Sequence, residues 1–523
     1  MSITIKNLTL LGTHDFSKII GDVLRALKVN VVNDSADFDA LEIFNEVVGK
    51  KIITRLKVTF YGTEIFLRKF SVARSDERFG AEVNRLVKKN LYTLLVEGFG
   101  LDAIPYGILH GVRPTKIIQR WIDEGFGVTS QGVIDRDKIS RRIRDDFLTT
   151  RDKAELLTEV SLRQLPIVRT RDDKIISVYV GIPFCRTRCL YCSFPSNVLP
   201  ADDKVAEFME TLTRDIESAA DAIQRYGLKV QTIYVGGGTP TALPEKFFAE
   251  LMQKVHDNFN GANVEEFTVE CGRPDTITAE KISAMKNFNV TRVSVNPQTM
   301  HQRTLDIIGR QHSVEDVIRA FNDLRAASDW KINMDLIIGL PGERLADFKA
   351  TLAEIIALKP DDVTIHSLAI KRGSKLQMRL ADELNRVEDF NLPDDVEVRL
   401  MAEHAEKILR GEKFLPYYLY RQGYMSGQIE NVGWCKCGAE GLYNVQIMGE
   451  RQTILGVGAA ASTKVPDSIN KKNFDGFQRK RLGNLFARHR TIYHAARGNF
   501  IANLFSDCRG SRIHCGERNF ARR

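Results

Sequence analysis

The sequence predicts an α/β protein built on a partial, open (β/α)6 barrel of TIM-like type, with an N-terminal α/β domain and a C-terminal α+β domain. Three observations carry this expectation. Six short apolar runs, "IISVYVGIPF", "QTIYVGGG", "FTVECG", "TRVSVNPQ", "INMDLIIGLP" and "DDVTIHSLA", recur between residues 171 and 370. Stretches of helical periodicity separate them, and near-continuous apolar strands alternating with helices are the mark of a parallel sheet covered on its outer face. Chemically capable residues sit at the ends of successive runs: Cys185, Gly236 to Gly238, Glu270, Gln298, Asp335 and His366. That is where barrels of this kind collect their chemistry, and six units are too few to close the eight-fold ring.

Taken in order, residues 1–170 are expected to form an N-terminal α/β plus helical domain. "KKIITRLKVTFYGTEIFLRKFSV" reads as a hairpin, and Leu91, Leu94, Leu95, Ile117, Ile118 and Trp121 as core of the helical part. "GVRPTKI" at 111–117 places a basic turn before a helix, either a structural turn or an anion site. Residues 171–370 form the barrel. In its first helix Val205, Phe208, Met209, Leu212, Ile216, Ala219 and Ile223 recur at helical spacing, Asp202 or Asp203 supplies a cap, and Gly227 ends it. The fifth runs from about Glu343 to Leu358, with Leu345, Phe348, Leu352 and Ile355 inward and Pro360 as its stop. Residues 371–470 make a mixed domain with a helix near 394–411 and the aromatic cluster "PYYLYRQGY".

With 43% hydrophobic residues in 523, the chain has enough apolar material for a large core and satellites. No run of eighteen apolar residues occurs, and the N-terminus lacks the pattern of a signal peptide, so a cytoplasmic protein without a membrane span is expected. The net charge of +8 is concentrated in the tail: residues 471–523 hold 13 Lys and Arg against 3 Asp and Glu, leaving the remainder nearly neutral. This argues against a nucleic-acid partner for the body of the protein. The tail itself, with Cys508 and Cys515, reads as a basic, non-globular extension or the product of a shifted reading frame, with a nucleic-acid arm as the alternative.

Three of the eight cysteines, Cys185, Cys189 and Cys192, fall within eight positions of "YVGIPFCRTRCLYCSF", just past the first strand. A cytosolic chain with so few cysteines is no disulfide scaffold, so clustered thiols point to metal or catalysis. Three thiolates hold three corners of a [4Fe–4S] cubane and leave one iron open, as catalytic sites do. A structural zinc site with a distant fourth ligand is the alternative. The glycine turn "GGGTPT" ending the next strand weighs against zinc, because residues without Cβ let main-chain groups approach a small polar ligand.

These motifs resemble the radical S-adenosylmethionine (SAM) superfamily. "VECGRPD", "VSVNPQT", "INMDLIIGLPGE" and "PYYLYRQGYMSG" are further similar to the oxygen-independent coproporphyrinogen III dehydrogenases, in particular a longer branch with an N-terminal domain. The resemblance spans roughly residues 80 to 465. It implies a [4Fe–4S] cluster on Cys185, Cys189 and Cys192, whose open iron is chelated by SAM. It places Tyr179 beside the SAM pocket, and Gly236, Gly237 and Thr239 against the methionine moiety. Glu270 would contact SAM, Gln298 and Asp335 the nucleoside, and Arg310 the SAM carboxylate, while Ile337 and Ala369 would pack on the adenosine. The chemistry suits these types: strand-end carboxylates accept from ribose hydroxyls, and a planar cation meets a carboxylate.

The implied reaction is one-electron cleavage of the sulfonium, hydrogen removal from a propionate β-carbon, and loss of carbon dioxide to leave a vinyl group. The product after two rounds is protoporphyrinogen IX, on the path to haem. The implied partners are a tetrapyrrole substrate, a flavodoxin- or ferredoxin-like electron donor, and an electron acceptor. Arg273, Arg372 and Arg421 are candidate cations for the substrate carboxylates, and Tyr417, Tyr418, Tyr420 and Tyr424 line its pocket or belong to the core. The sequence departs from those dehydrogenases at Phe194, where they carry a further cysteine, and in its N-terminal domain. Two rival readings therefore stay open: a radical SAM methyltransferase that degrades haem, and a haem-binding carrier without turnover. Cys271 reads as a core thiol, and Cys435 and Cys437 in "WCKCG" as incidental ones.

Overall fold

Six parallel strands lie side by side in chain order: β1 (Ile175–Ile182), β2 (Lys229–Gly237), β3 (Glu266–Glu270), β4 (Arg292–Ser294), β5 (Lys331–Ile338) and β6 (Asp362–Ser367). The computed structural model describes residues 3–466, apart from 6, 13, 32–39, 61–62, 74–78, 170–171, 195, 372, 382–389, 424 and 460. The tail 471–523 thus lies outside the described residues, as do Arg372 and Tyr424. Helices α1 (Asp202–Tyr226), α2 (Glu245–Phe259), α3 (Ala279–Asn287), α4 (Val314–Ala327), α5 (Leu345–Leu358) and α6 (Asp395–Gly411) follow the six strands in turn.

The local rules of the sequence explain these elements. In α1 the side chains of Val205, Phe208, Met209, Leu212, Ile216 and Ala219 are buried at intervals of one turn, each large one contributing about 1.5–3 kcal/mol by leaving water. Gly227 closes the helix at φ +60°. Its start differs from expectation: Ala201 occupies the cap position, and Asp202 and Asp203 lie inside the first turn, where they favour the helix dipole without capping it. Helix α4 opens with a full capping box between Ser313 and Asp316. Helix α5 buries Phe348, Leu352 and Ile355 and ends at Lys359, just before Pro360.

The barrel sheet continues past β6. The strands β7 (Leu415–Tyr420) and β8 (Asn431–Cys435) are antiparallel, with β8 seated between β6 and β7. At the opposite edge β9 (Thr453–Val457) runs parallel to β1. The result is one open nine-stranded sheet, β7-β8-β6-β5-β4-β3-β2-β1-β9. Residues 415–457, expected in a C-terminal domain, therefore share the barrel's sheet and core, and Trp434 and Leu455 pack in one cluster with Val178 and Ile332.

The first 170 residues divide between two cores. Strands 7–12, 40–48, 51–60 and 63–72 form a separate four-stranded sheet, with the 51–72 pair antiparallel in register. Helices Ser17–Ala26 and Phe79–Phe99 pack on it around Ile20, Leu41, Ile43, Leu56, Val87 and Leu91. By contrast, Ile118 and Trp121 of helix Thr115–Asp123 and Leu157 of helix Arg151–Val168 belong to the barrel's core. The "GVRPTKI" turn serves this docking. Arg113 and Lys116 both hold Glu450, and Lys153 forms a buried ion pair with Glu430 at 2.8 Å. No helix among the described residues is long and apolar enough to cross a membrane.

A polar plug closes the barrel at the N-terminal ends of its strands. Arg292 on β4 meets Glu266 on β3 at 3.4 Å and Asp362 on β6 at 2.9 Å, all three buried. Tyr417 donates to Asp362 at 2.7 Å, and Glu266 accepts the backbone N–H groups of Leu442 and Tyr443 at the start of helix α7 (Leu442–Gly449). Removing one member of a buried ion network strands the others. Arg292→Met is expected to lower the unfolding free energy by about 3–5 kcal/mol. Urea denaturation measures it, and the double variant Arg292→Met/Asp362→Leu should recover part of the loss.

Candidate active site

At the other end of the barrel the three cysteines occupy a folded-back loop. The short strand Phe184–Cys185 pairs in parallel with Asn197–Val198, and Asn197 and Leu199 donate N–H bonds to Pro183 and Cys185 at 2.7 and 2.9 Å. Within the loop the Cys192 N–H reaches the Cys189 carbonyl at 3.1 Å, so these two residues share one turn. Neighbouring barrel loops pin it: Thr187 donates to Gly309 at 3.0 Å, Leu190 to Ile308 at 2.9 Å, and Arg188 to Gly373 at 2.9 Å. Among the described residues no three His, Cys, Asp or Glu side chains converge on a point suited to a single metal ion.

The strand ends β1 and β2 lie flush. Gly238 donates its N–H to Ile182 and Thr239 to Phe184, both at 2.7 Å. A Cβ on Gly238 would stand 2.4 Å from the Phe184 carbonyl oxygen, and Gly237 adopts φ +114°. Here the structure refines the expectation of glycines exposing their N–H groups to a ligand: those of Gly237 and Gly238 are already donated within the chain. The glycines are needed chiefly for the close approach of two backbones. The Thr239 hydroxyl, meanwhile, lies 3.5 Å from the Cys185 sulfur.

Glu270 at the end of β3 supports this turn. One carboxylate oxygen accepts from the Gly237 N–H at 3.0 Å and the other from the Tyr234 hydroxyl at 2.5 Å. Burial nonetheless pushes its pKa above the ordinary carboxyl value, and the nearby Asp335 charge adds to the effect. Tyr179 stacks with Tyr234 and with Tyr443 of α7, ring centroids 5.9 and 6.0 Å apart. Across the barrel, Asp335 accepts from Asn333 at 2.7 Å and faces His366 at 3.5 Å, whose other nitrogen is hydrogen-bonded to Tyr420 at 3.1 Å. Burial raises the Asp335 pKa, but His366, Asn333 and Thr364 outweigh it and hold the carboxyl below its usual value.

Gln298 lies four residues past β4 with φ +72°. Its N–H donates to the Asp335 carbonyl and its carbonyl accepts from Ile337, both at 3.0 Å. Its side-chain oxygen is buried with no partner in the protein. Ile337 is buried, and Ala369 bridges to Met425.

Two of the arginines, Arg273 and Arg421, depart from expectation. Arg310, expected near the SAM carboxylate, is buried and donates to the carbonyls of Asn296 and Gly272, the latter at 3.2 Å. Arg273, read as a substrate cation, turns inward instead: its Nη2 donates to the Cys189 sulfur at 3.0 Å and to the Thr187 carbonyl at 2.8 Å. Burial raises the Cys189 pKa, yet Arg310 and Arg273 together bring it below the ordinary thiol value. Arg421 is also taken out of the cleft. It donates to the Leu109 and Gln428 carbonyls and covers the Tyr106 ring at 4.0 Å.

Tyr417 and Tyr418 are buried in a satellite core with Cys435, Cys271 is a buried thiol beside Met285, and Cys437 is exposed. Sequence reasoning missed the roles of Tyr234, Tyr443 and His366 as supports. The signal available for them was weak, since each is an ordinary strand or helix residue whose partner lies on a distant segment.

Two outcomes follow from this geometry. Gly238→Ala forces a methyl into the Phe184 backbone and is expected to cost about 1–3 kcal/mol in denaturant unfolding. The second concerns pH. The fold favours protonated Glu270, so this contribution is full below the ordinary value of 4.5 and is lost as pH rises through the raised one. Urea midpoints of the wild type, set against those of Glu270→Gln, are expected to decline as pH climbs above 4.5.

The family profile of the Radical SAM superfamily matches residues 179–355, the stretch that carries the cysteine loop, the glycine turn, Glu270, Gln298 and Asp335. The oxygen-independent coproporphyrinogen-III oxidase-like protein HemZ of Bacillus subtilis is 36% identical over 368 residues, which is 69% of this chain and 70% of that protein. The heme chaperone HemW of the same organism is 32% identical over 37% of this chain and 51% of its own length. Among solved structures, coproporphyrinogen III oxidase (HemN) from Escherichia coli overlaps 58% of this chain and 68% of its own, with 21% identity and a TM-score of 0.46. On the strength of the superfamily profile and the long HemZ match, the chain belongs to the radical SAM superfamily, whose members use a [4Fe–4S] cluster and SAM, and within it to the coproporphyrinogen-III oxidase-like proteins.

Proposed function

We propose that Cys185, Cys189 and Cys192 hold the cluster, that the barrel mouth binds SAM, and that the substrate is coproporphyrinogen III, oxidatively decarboxylated at two propionates. The observation that carries the substrate is the 36% identity to HemZ across 69% of the chain. The residues present fit the cofactors. Two buried guanidiniums around Cys189 favour its thiolate, the form that ligates iron. The orphaned Gln298 oxygen suits a donor from outside the protein, because an unpaired buried acceptor costs about 1–3 kcal/mol that a bound N–H or O–H restores.

When bound, cluster and SAM supply one-electron cleavage of the sulfonium and hydrogen abstraction from carbon. The chain's own work is binding and orientation. Asp335, held as a carboxylate, accepts from the ribose hydroxyls. Glu270 braces the glycine turn against which Gly236, Gly237 and Thr239 meet the methionine end, and Tyr179 bounds the pocket through its stack with Tyr234 and Tyr443. Ile337 and Ala369 would pack against the adenosine. In the substrate each reacting propionate loses one β-hydrogen, its carboxylate as carbon dioxide, and one electron to an acceptor. A low-potential flavodoxin- or ferredoxin-like protein supplies the electron for SAM.

Haem carriage without turnover is a second reading, favoured by the similarity to the heme chaperone HemW and by exposed Phe194 standing where the dehydrogenases carry a further cysteine. Anaerobic reconstitution with iron and sulfide separates the two. With SAM, reductant and coproporphyrinogen III, the first reading expects methionine and carbon dioxide in proportion and a divinyl product by mass spectrometry. Stoichiometric haem binding with no tetrapyrrole conversion would overturn it. Cys185→Ala is expected to abolish SAM cleavage, and Asp335→Asn to weaken SAM binding about tenfold, or ~1.4 kcal/mol, read by calorimetry.

A further inference from the structure

We propose that Arg273 is a positioning residue for Cys189 and that, with Arg310, it raises the reduction potential of the cluster that Cys189 helps to hold. The inference rests on the reading of Cys185, Cys189 and Cys192 as cluster ligands. Both arginines are almost fully buried, at 4% and 6% exposure, and Cys189 is at 7%. Among the described residues neither guanidinium is paired with a carboxylate. Arg310 donates to the neutral carbonyls of Gly272 and Asn296, and Arg273 to the Thr187 carbonyl. The remaining polar partner of Arg273 is the Cys189 sulfur at 3.0 Å.

Buried cations require a counter-charge, and here no side-chain carboxylate supplies it. Asp275, two positions from Arg273 in the chain, engages exposed Arg186 at 3.0 Å, and His312 beside it is held neutral by burial and the two arginines. The thiolate is therefore the anion that this pair of cations is built to face. The same arithmetic governs reduction. One electron arrives from a one-electron donor, no bond is made or broken, no proton need move, and the charge of the cluster with its thiolates falls by one. Two fixed, desolvated positive charges favour that more negative state, and water screens them little. A single guanidinium nitrogen, Nη2 of Arg273, reaches the loop carbonyl and the sulfur together, fixing the second cysteine while the group supplies charge.

The test is the midpoint potential of the reconstituted full-length protein without SAM, followed by EPR during a mediated redox titration. Arg273→Gln is expected to reduce the equilibrium constant for cluster reduction at least tenfold, a fall of about 59 mV or more. Arg273→Lys, which keeps the charge, should restore most of it. Arg186→Gln, in the same loop but exposed, should leave the potential where it was. An unchanged potential in Arg273→Gln, or an equal fall in Arg186→Gln, overturns the proposal. Should Arg273→Gln and Arg310→Gln fail to assemble a cluster, assembly by both lysine variants supports a requirement for charge, and failure of all four overturns it. If the wild-type chain assembles no EPR-active cubane, it is the cysteine assignment that falls.

Discussion

The backbone contact between the ends of β1 and β2 governs everything at the barrel mouth. Two hydrogen bonds, from Gly238 to Ile182 and from Thr239 to Phe184, lock the glycine turn against the segment that launches the cysteine loop. Because Phe184 is also the first residue of the short strand ending in Cys185, the position of that sulfur and the shape of the turn are a single quantity. Glu270 then ties the turn to β3, and Tyr234 ties Glu270 to the aromatic stack. A displacement at any of these points is transmitted to the others, since each donor and acceptor has little alternative partner within its buried surroundings.

The two ends of the barrel handle buried charge in opposite ways. At the N-terminal ends, Arg292, Glu266 and Asp362 neutralise one another, and backbone N–H groups and Tyr417 complete the network. That arrangement balances its charges within the protein, with one Asp362 oxygen left without a hydrogen-bond partner, and fits a structural plug. At the C-terminal ends the pairing within the protein is incomplete: the Gln298 oxygen, the Arg310 Nε and both ring nitrogens of His312 lack protein partners. Native interiors seldom leave such groups unpaired unless something else is meant to meet them.

Much of this was legible in the sequence, for definite reasons. The barrel strands carry apolar runs between polar ends, as Val178, Ile233, Val269 and Ile365 show, and the helices between them carry a clear repeat, as α1 shows from Val205 to Ala219. Periodicity of this kind is a local property and survives into the fold. The cysteine spacing and the glycine triplet were legible too, because both are short-range patterns. What the sequence concealed was partnership over long separations. Arg273 lies 84 positions from Cys189, and nothing local tells that its guanidinium turns to a sulfur rather than to the cleft. Arg421 likewise meets Leu109 across 312 positions, and its strand neighbours gave no hint of it. The extension of the sheet by β7, β8 and β9 was hidden for a related reason: pairing partners are set by tertiary context, not by the strand's own residues.

The division of the N-terminal stretch between two cores bears on how such a chain is assembled. Helices from Thr115 to Val168 have surrendered their apolar faces to the barrel, so they are as much a part of its wall as the segments that alternate with its strands. The four-stranded sheet ahead of them, with a private interior around Leu41 and Leu91, has made no such commitment. Modular exchange is therefore cheap before about residue 109 and ruinous after it.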